Sequence, residues 1–386
     1  MSCMRATKAI IHLDNLKHNI QSIQSLVQGG AKMCIAVKAN GYGHGAVACA
    51  RTAMESGADM LAVASVEEGV ELRKNGITIP LLLLSLCSPE EVSDLVSFHI
   101  TPFVFDSEYI QLIAAAAQKA GETAFPVHLA VDSGMGRIGC YPAEAASLAK
   151  EIVSTPSLTL GGMATHFAVS DSVDKSDRLY TQVQFSRFTE AIDSVRKAGI
   201  DPGICHCANS AATLINPEMH LDMVRPGIIV YGYYADEIDE TYLKQAGLPV
   251  SLKPVMTLET EVCAVRQFKK GMSVGYGRTW TADRDTEIAV LPIGYGDGLL
   301  RRFAEHGFSV AINGRCFPVR GRICMDQCMV EIGRESGVHR WDKAVIFGAK
   351  EDGALQTADD IARLTGTISY EITTCLTQRV ERVFVR

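Results

Sequence analysis

The chain has 386 residues, 47% of them hydrophobic and 21% charged, which is typical of a globular enzyme with one large domain and a smaller one. Its 37 basic and 44 acidic residues are interspersed and leave a net charge of −7, which argues against nucleic acid or an anionic membrane as a partner. The 12 cysteines are scattered without the repeated pairs of a zinc framework, so we expect reduced thiols, a cytoplasmic protein and no metal site.

The N-terminal segment predicts a helix and no targeting signal. Its first ten residues contain no long apolar stretch, so no signal peptide is expected. A helix is predicted over Asn15–Val27, because apolar side chains recur there at helical spacing. No apolar run in the chain reaches the roughly 18 residues that a membrane span needs.

Short apolar runs recur along the next 200 or so residues, with helical patterns between most of them. They are continuous rather than alternating, which is typical of parallel strands buried on both faces. Capping boxes at Ser65–Glu68 and Ser88–Glu91 predict helix starts. The runs are MCIAVK ending at Lys38, MLAVAS at Ser65, IPLLLLS at Ser85, TPFVF at Phe105, FPVHLAVD at Asp132, LTLGGMATH at His166, GICHCAN at Asn209 and VRPGIIVYG around Gly227.

Eight strand–helix repeats predict an α/β fold, a (β/α)8 TIM-like barrel over residues 1–244. A doubly wound open sheet has the same local signals, and only the strand count separates the two. From about Ser251 the helical period fades, and β-branched stretches broken by Gly, Asn and Pro predict a mostly-β domain over residues 245–386. Within it, Asn313-Gly314 predicts a hairpin and Thr357–Thr365 one late helix, while Asp236–Pro249 is the expected connection.

Polar side chains stand at the ends of the predicted barrel strands, which converge on one mouth. Together they form a basic, hydrogen-bonding rim suited to a phosphorylated cofactor. Lys38 by itself fits a solvated lysine better than a catalytic one, although a desolvated lysine has a lowered pKa and can form a Schiff base with an aldehyde. The rim residues are Lys38, Asp132, Arg137, His166, Asn209, Ser210 and Arg225.

Seven motifs resemble those of alanine racemases in order and spacing, over nearly the whole chain to Tyr370. The resemblance implies a pyridoxal 5′-phosphate barrel, a β domain and a homodimer with shared active sites. It also implies interconversion of L- and D-alanine, with D-alanine supplied for peptidoglycan. The motifs are AVKANGYGHG (36–45), DSGMGRIG (132–139), ATHFA (164–168), NSAAT (209–213), VRPGIIVYG (224–232), VGYGRTW (274–280) and GRICMDQ (321–327).

The resemblance also assigns roles to individual residues. Lys38 would carry the cofactor covalently, and Arg225, supported by His166, would face its pyridine nitrogen. Arg137 would bind the substrate carboxylate together with the backbone N–H of Met325, and would also reach the phenolic oxygen of the cofactor. The phosphate and its surroundings would be bound by Tyr42, Asn209, Ser210, Gly227, Ile228 and Tyr370.

Racemisation needs an acid or base on each face of the substrate Cα. By the resemblance these are Lys38 and, from the partner subunit, Tyr276. A tyrosine has an ordinary pKa of about 10, so the positive charge of Arg225, linked through His166, must lower it. A guanidinium donates but cannot give up its proton, so the pyridine nitrogen stays neutral, and transamination and decarboxylation are suppressed.

Two features bear on specificity and on the limits of the match. Tyr370 and Tyr295 are expected to narrow the entrance, which favours the methyl side chain of alanine. Many alanine racemases have a carbamate-modified lysine where this chain has Ala130. We therefore expect a bound anion such as chloride, or an acidic side chain, beside Arg137.

Three alternatives remain open. A serine or broad-specificity racemase shares fold and mechanism and differs only in the substrate pocket. A decarboxylase of basic amino acids or diaminopimelate uses a run of glycines for the phosphate, and no three consecutive glycines occur here. A non-catalytic carrier of pyridoxal phosphate is a single barrel, which leaves the β domain and Tyr276 without a purpose.

Overall fold

The computed structural model describes residues 5–248 and 250–386. Residues 1–4, which include Cys3 and begin the segment where no signal peptide is expected, lie outside the described residues, as does Pro249 at the end of the expected connection. Within the described part of the chain, no helix combines the length and the apolar character needed to cross a membrane.

The first part of the chain forms the predicted barrel. Eight parallel strands follow one another in the order β8-β7-β6-β5-β4-β3-β2-β9. They are β2 (Lys32–Ala36), β3 (Met60–Val63), β4 (Leu81–Leu83), β5 (Ile100–Val104), β6 (Phe125–Ala130), β7 (Leu158–Ala164), β8 (Ile204–His206) and β9 (Met223–Val224). Each of the eight apolar runs contains or adjoins one of these strands, so the α/β barrel prediction is confirmed.

Backbone hydrogen bonds bring the two end strands of this sheet together. The Asp222 N–H donates to the carbonyl of Cys205 at 3.0 Å, and the Arg225 N–H donates to that of Ala208 at 2.9 Å. β9 itself has only two residues, because the rest of the predicted run turns into a 3-10 helix over Ile228–Tyr231. The barrel is therefore nearly closed, and Arg225 follows directly on its last strand.

Helices cover the outside of the barrel. α1 begins two residues before the predicted start, and its buried face includes Leu16, Ile20 and Ile23. The helices are α1 (Leu13–Gln24), α3 (Ala46–Glu55), α4 (Val66–Lys74), α5 (Val92–Ser97), α6 (Ser107–Lys119), α7 (Ala145–Ser154), α8 (Lys175–Lys197), α9 (Ser210–Ile215) and α10 (Glu240–Gln245), whereas the short segment α2 (Lys38–Tyr42) is a left-handed turn at the barrel mouth.

The two predicted capping boxes differ in outcome. The hydroxyl of Ser65 accepts the N–H of Glu68 at 3.3 Å, as expected for the start of α4. At the second box, the N–H of Ser88 donates to the carboxylate of Glu91 at 2.8 Å, but the expected helix start at Pro89 is wrong. A turn occupies residues 89–91, and α5 begins at Val92.

The C-terminal part is mostly β, as predicted. A six-stranded sheet has the order β16-β15-β18-β10-β1-β19, beside a three-stranded sheet β11-β14-β17 and the pair β12-β13. The elements are β1 (Lys8–His12), β10 (Met256–Glu261), β11 (Ala264–Phe268), β12 (Ser273–Val274), β13 (Trp280–Thr281), β14 (Thr286–Leu291), β15 (Ser309–Ile312), β16 (Arg315–Pro318), β17 (Cys328–Glu331), β18 (Lys343–Phe347), β19 (Glu381–Val385), α11 (Ala358–Thr365) and α12 (Ser369–Thr374).

Details of this domain confirm some predictions and correct others. Asn313 and Gly314 have φ values of 50° and 72° and join β15 to β16, as a hairpin requires. The late helix is confirmed as α11, but a second short helix, α12, follows it and carries Tyr370. The division at residue 244 stays a prediction, and β1 departs from it, because it pairs with β10 and β19 rather than with barrel strands.

Candidate active site

Lys38 lies at the mouth of the barrel, just after β2. The chain turns sharply there: Ala39, Asn40 and Gly41 all have positive φ, at 52°, 54° and 62°. The carboxylate of Glu68 holds this turn by accepting the N–H of Ala39 at 2.6 Å. A backbone that turns away immediately leaves the Lys38 side chain extending from the strand end into the mouth.

Two adjoining cavities meet at Lys38, with volumes of about 310 Å³ and 230 Å³. Arg225 and His166 line both of them, and Arg137 lines the larger one. Of the described residues that line the larger cavity, none carries a carboxylate. Burial lowers the pKa of Lys38, and the charges of Arg137 and Arg225 lower it further, against the opposing charge of Glu68. The larger cavity is therefore positively charged and suited to an anion.

Arg225 is a buried cation held entirely by neutral acceptors in the described chain. Its Nη2 donates to the carbonyl oxygen of Thr165 at 2.7 Å and to that of Cys207 at 3.2 Å. The same Nη2 lies 3.4 Å from Nδ1 of His166. Because a guanidinium only donates, His166 must accept at Nδ1 and carry its proton on Nε2.

A second hydrogen-bonded chain runs from Arg225 into the barrel interior. Its Nη1 lies 2.6 Å from Nδ1 of His206, and Nε2 of His206 lies 2.9 Å from Nδ1 of His128. The guanidinium donor makes His206 accept at Nδ1, so its Nε2–H donates to His128. Burial, aided by Arg225, lowers the pKa of His128 to about 4, and burial followed by the charges of Arg225, Arg137 and Lys38 lowers that of His166 to about 3. The histidines around Arg225 are therefore neutral near pH 7.

The smaller cavity brings together hydroxyl groups at the rim. Ser210 accepts the N–H of Gly227 at its hydroxyl oxygen, at 2.9 Å. A Cβ on Gly227 would lie 2.7 Å from the hydroxyl oxygen of Tyr42, so only glycine lets the tyrosine approach this close. The ring of Tyr370 lies 5.6 Å from that of Tyr42. Tyr42, Ser210, Gly227 and Tyr370 thus form a cup that lines one end of the cavity.

Asn209 and Ile228 have different positions from the cup residues. The side chain of Asn209 caps α9 by accepting the N–H of Ala212 at 3.1 Å, although Asn209 also lines the smaller cavity. Asn209, rather than Ser210, is therefore the N-cap residue of α9. Ile228 is fully buried, so only its backbone is placed to contribute to the cup.

Helix α8 supports the loops that carry His166 and Arg137. Gln184 is fully buried, accepts the N–H of Ala168 at 2.9 Å and donates to the carbonyl of His166 at 3.1 Å. One turn away, the hydroxyl of Tyr180 donates to the carbonyl of Gly134 at 2.8 Å. A single long helix therefore holds two of the loops that form the mouth.

Arg137 has no ion-pair partner among residues 5–248 and 250–386. It is exposed in the single chain and shares the larger cavity with Ala130, Met135 and Ile138, and with polar groups that include Lys38. No acidic side chain of the described chain takes the place of the missing carbamate. The expectation of an anion such as chloride beside Arg137 stays a prediction.

Three predicted residues lie away from Lys38 within one chain. Tyr276, Tyr295 and Met325 belong to the C-terminal part, are 70%, 41% and 52% exposed, and line neither of the two cavities. Tyr295 and Met325 are close to each other, because the N–H of Gly296 donates to the carbonyl of Met325 at 2.8 Å. The roles of Tyr276, Tyr295 and Met325 in the site therefore stay predictions.

Family models match both parts of the chain. The alanine racemase N-terminal domain matches residues 11–235, and the alanine racemase C-terminal domain matches residues 255–384. The chain belongs to the alanine racemase family. Its activity is that of an isomerase that interconverts L-alanine and D-alanine.

Individual alanine racemases are similar to this chain over its full length. One from Treponema denticola is 47% identical over 384 residues, covering 99% of each chain, and one from Treponema pallidum is 40% identical over 386 residues, covering 99% of this chain and 100% of the relative. Among solved structures, the alanine racemase of Clostridium difficile 630 has a TM-score of 0.89 at 38% identity and covers 100% of this chain and 97% of that one. The Bacillus anthracis alanine racemase with bound L-Ala-P has a TM-score of 0.90 at 34% identity, covering 100% and 96%.

Several residues of this site were not predicted from the sequence. His128 and His206 lie inside the apolar runs FPVHLAVD and GICHCAN, and a polar residue in a strand buried on both faces was the available signal. Glu68 was identified only as part of a capping box. Gln184 gave no signal, because its position in α8 fits an ordinary polar helix residue.

Proposed function

We propose that this alanine racemase binds pyridoxal 5′-phosphate through Lys38 and uses two bases, Lys38 and Tyr276 of the partner subunit. The observation that carries the proposal is Lys38 itself. Its amine has a pKa lowered by burial and by the charges of Arg137 and Arg225, with which it lines the larger cavity, and it lines the smaller cavity as well. A lysine in such a place is a nucleophile suited to an aldehyde and a base suited to a proton on carbon.

The residues around Lys38 fit this cofactor. The hydroxyls of Tyr42, Ser210 and Tyr370, with the backbone at Gly227 and Ile228, would bind the phosphate without adding charged groups. When bound, the cofactor supplies the electron sink that makes the α proton of an amino acid removable.

Arg225 gives the site its preference for racemisation. The guanidinium is fixed by Thr165, Cys207 and neutral histidines, and it has no carboxylate partner in the described chain. It would face the pyridine ring as a permanent donor that cannot accept a proton. After the Cα proton of the substrate has been removed by one base, a proton would be returned to the same carbon, which disfavours transamination and decarboxylation.

The second base requires a homodimer. Tyr276 is 70% exposed on the C-terminal part and lines neither cavity of its own chain, which supports its delivery into the site of another subunit. His166, bonded to Arg225 through Nδ1, carries its proton on Nε2 and would link Tyr276 of the partner subunit to that positive charge. The Nε2–H of His166 would donate to the phenol oxygen and hold it in place for proton exchange at the substrate Cα.

Substrate binding in this proposal uses Arg137 and Met325. Arg137 lines the same cavity as Lys38 and offers a bidentate donor to a carboxylate, and the backbone N–H of Met325 would be a second donor across the dimer. Tyr370 and Tyr295 would narrow the entrance, which favours alanine over larger amino acids. All described cysteines are free thiols, which supports a reducing cytoplasm as the compartment in which D-alanine is made for peptidoglycan.

The test follows the enantiomeric composition of alanine. Purified protein with pyridoxal phosphate is incubated with L-alanine and, separately, with D-alanine, with L-serine in parallel. We expect both alanine reactions to reach an equal mixture while serine lags, and Lys38→Ala to lose both activity and the absorbance of bound cofactor. Equal rates for serine would favour the broad-specificity alternative. Full cofactor binding by Lys38→Ala would contradict the role of Lys38.

A further inference from the structure

Arg382 in β19 is a partly buried cation that binds only backbone carbonyls in the described chain. Its Nε donates to the carbonyl of Gly43 at 2.9 Å, and its Nη2 to that of Leu376 at 2.7 Å. Its Nη1 donates to the carbonyls of Thr377 and Val380, at 2.6 Å and 2.8 Å. No carboxylate of the described residues forms an ion pair with it. A guanidinium with these partners joins chain segments rather than forming half of a salt bridge.

The segments that meet at Arg382 each carry one hydroxyl of the cup. Gly43 directly follows Tyr42, in the loop that begins at Lys38. Leu376 and Thr377 follow α12, the helix that carries Tyr370. Arg382 therefore joins the barrel loop of one hydroxyl to the C-terminal segment of the other.

The contact between these segments is tight. Gly43 has a φ of 86°, and a Cβ there would lie 2.2 Å from the carbonyl oxygen of Thr373 in α12. A Cβ on Gly45 would lie 2.7 Å from the ring of Phe384 in β19. Loop and C-terminal segment are packed so closely that a small shift of one moves the other.

Without a cation, the carbonyl oxygens of Gly43, Leu376 and Thr377 would converge with no donor among them. Such a cluster is electrostatically unfavourable when buried, and the segments would separate to admit water. Because the rings of Tyr42 and Tyr370 are only 5.6 Å apart, that separation would widen the distance between their hydroxyls.

We propose that Arg382 is a positioning residue for the cofactor phosphate. It draws the loop of Tyr42 and the segment of Tyr370 onto one guanidinium and thereby sets the spacing of the two hydroxyls. This inference rests on the proposed function for the cofactor and adds a residue that touches neither phosphate nor substrate.

The test compares two ligands that differ only in the phosphate. Apoprotein is titrated with pyridoxal phosphate and with pyridoxal, for the native sequence, Arg382→Gln, Arg382→Lys and Tyr370→Phe. The matched control is Arg363→Gln, which changes an exposed arginine of α11 paired with Asp360. Near-ultraviolet circular dichroism and the urea midpoint report whether each variant is folded.

For Arg382→Gln we expect pyridoxal phosphate to bind roughly ten- to a hundred-fold more weakly. This factor corresponds to the loss of one hydrogen bond between a tyrosine hydroxyl and the charged phosphate. Pyridoxal binding should be unchanged, and Arg382→Lys should recover part of the loss, because an ammonium retains three donors. The double variant Arg382→Gln/Tyr370→Phe should bind pyridoxal phosphate no more weakly than the weaker-binding of the two single variants. Both changes act on the same contact, the one between the Tyr370 hydroxyl and the phosphate.

Three results would overturn the inference. Equal loss for both ligands would mean that Arg382 only stabilises the fold. Effects of Arg382→Gln and Tyr370→Phe that add fully would mean that it acts elsewhere, and unchanged phosphate affinity would mean that it has no such role. If Arg382→Gln does not fold, Arg382→Lys carries the same comparison. Failure of the native apoprotein to bind either ligand would instead contradict the proposed function.

Discussion

Replacing His128 with asparagine tests the neutral histidine chain behind Arg225. The amide oxygen of asparagine lies where Nδ1 of histidine does, so it can still accept the Nε2–H of His206, which is 2.9 Å from Nδ1 in the native chain. The variant therefore keeps the hydrogen bond and loses the proton-binding group. Its effect should depend on pH.

The magnitude follows from the pKa of His128, which burial and the charge of Arg225 lower from 6.5 to about 4. As the pH falls below 6.5, the unfolded chain takes up a proton that the folded chain refuses until about pH 4. The native protein has its full stability from this group above pH 6.5 and loses it on acidification, by about 2 kcal/mol at pH 5 and about 3 kcal/mol at pH 4. The asparagine variant lacks this component.

The assay is urea unfolding of apoprotein at fixed concentration, at pH 7.5 and pH 5. The free energy of unfolding of the native chain should fall between these values by about 2 kcal/mol more than that of His128→Asn. His306→Asn, which removes an exposed histidine, should keep the native pH dependence. Identical pH dependence of His128→Asn and the native chain would refute the assignment of His128 as a buried neutral group.

Three further predictions concern the mouth of the barrel. Gly227→Ala places a Cβ 2.7 Å from the hydroxyl of Tyr42, so equilibrium titration should show weakened pyridoxal phosphate binding by a protein whose circular dichroism is native; unchanged affinity would contradict the cup. Gln184→Leu leaves the N–H of Ala168 and the carbonyl of His166 without their side-chain partner, and urea unfolding should show a loss of about 1–3 kcal/mol, together with a lower kcat. A native-like urea midpoint would refute the support that Gln184 gives to the His166 loop. Exchange of chloride for a bulky organic anion should lower kcat, because Arg137 would lose the anion that orders it. A kcat that is the same with both anions would contradict the predicted anion beside Arg137.

Much of the barrel could be predicted because its signals are local. A strand buried on both faces is apolar along its length, so Lys38 and His166 stand out as the last residues of such runs and Arg225 as a charged residue inside one. The hairpin at Asn313-Gly314 was equally legible, since positive φ at two successive residues favours this pair.

The features that could not be predicted depend on contacts distant in sequence. The pairing of β1 with β10 and β19 joins residues about 250 and 370 positions apart. The sequence of a short strand does not indicate which strand it pairs with. Helix α12 has only six residues, too few for a periodic pattern. Arg382 binds four backbone carbonyls, and because every residue has a backbone carbonyl, no sequence pattern marks these partners. The sequence therefore does not distinguish Arg382 from a surface arginine.

Subunit complementation tests the shared site most directly. Lys38→Ala and Tyr276→Phe are each expected to be nearly inactive as pure dimers. In a mixed dimer, one site has both changes and the other has the native Lys38 of one chain and the native tyrosine of its partner. Equal mixing with full exchange should restore about a quarter of native alanine racemisation. Inactive mixtures in which native mass spectrometry detects mixed dimers would contradict delivery of Tyr276 from the second subunit.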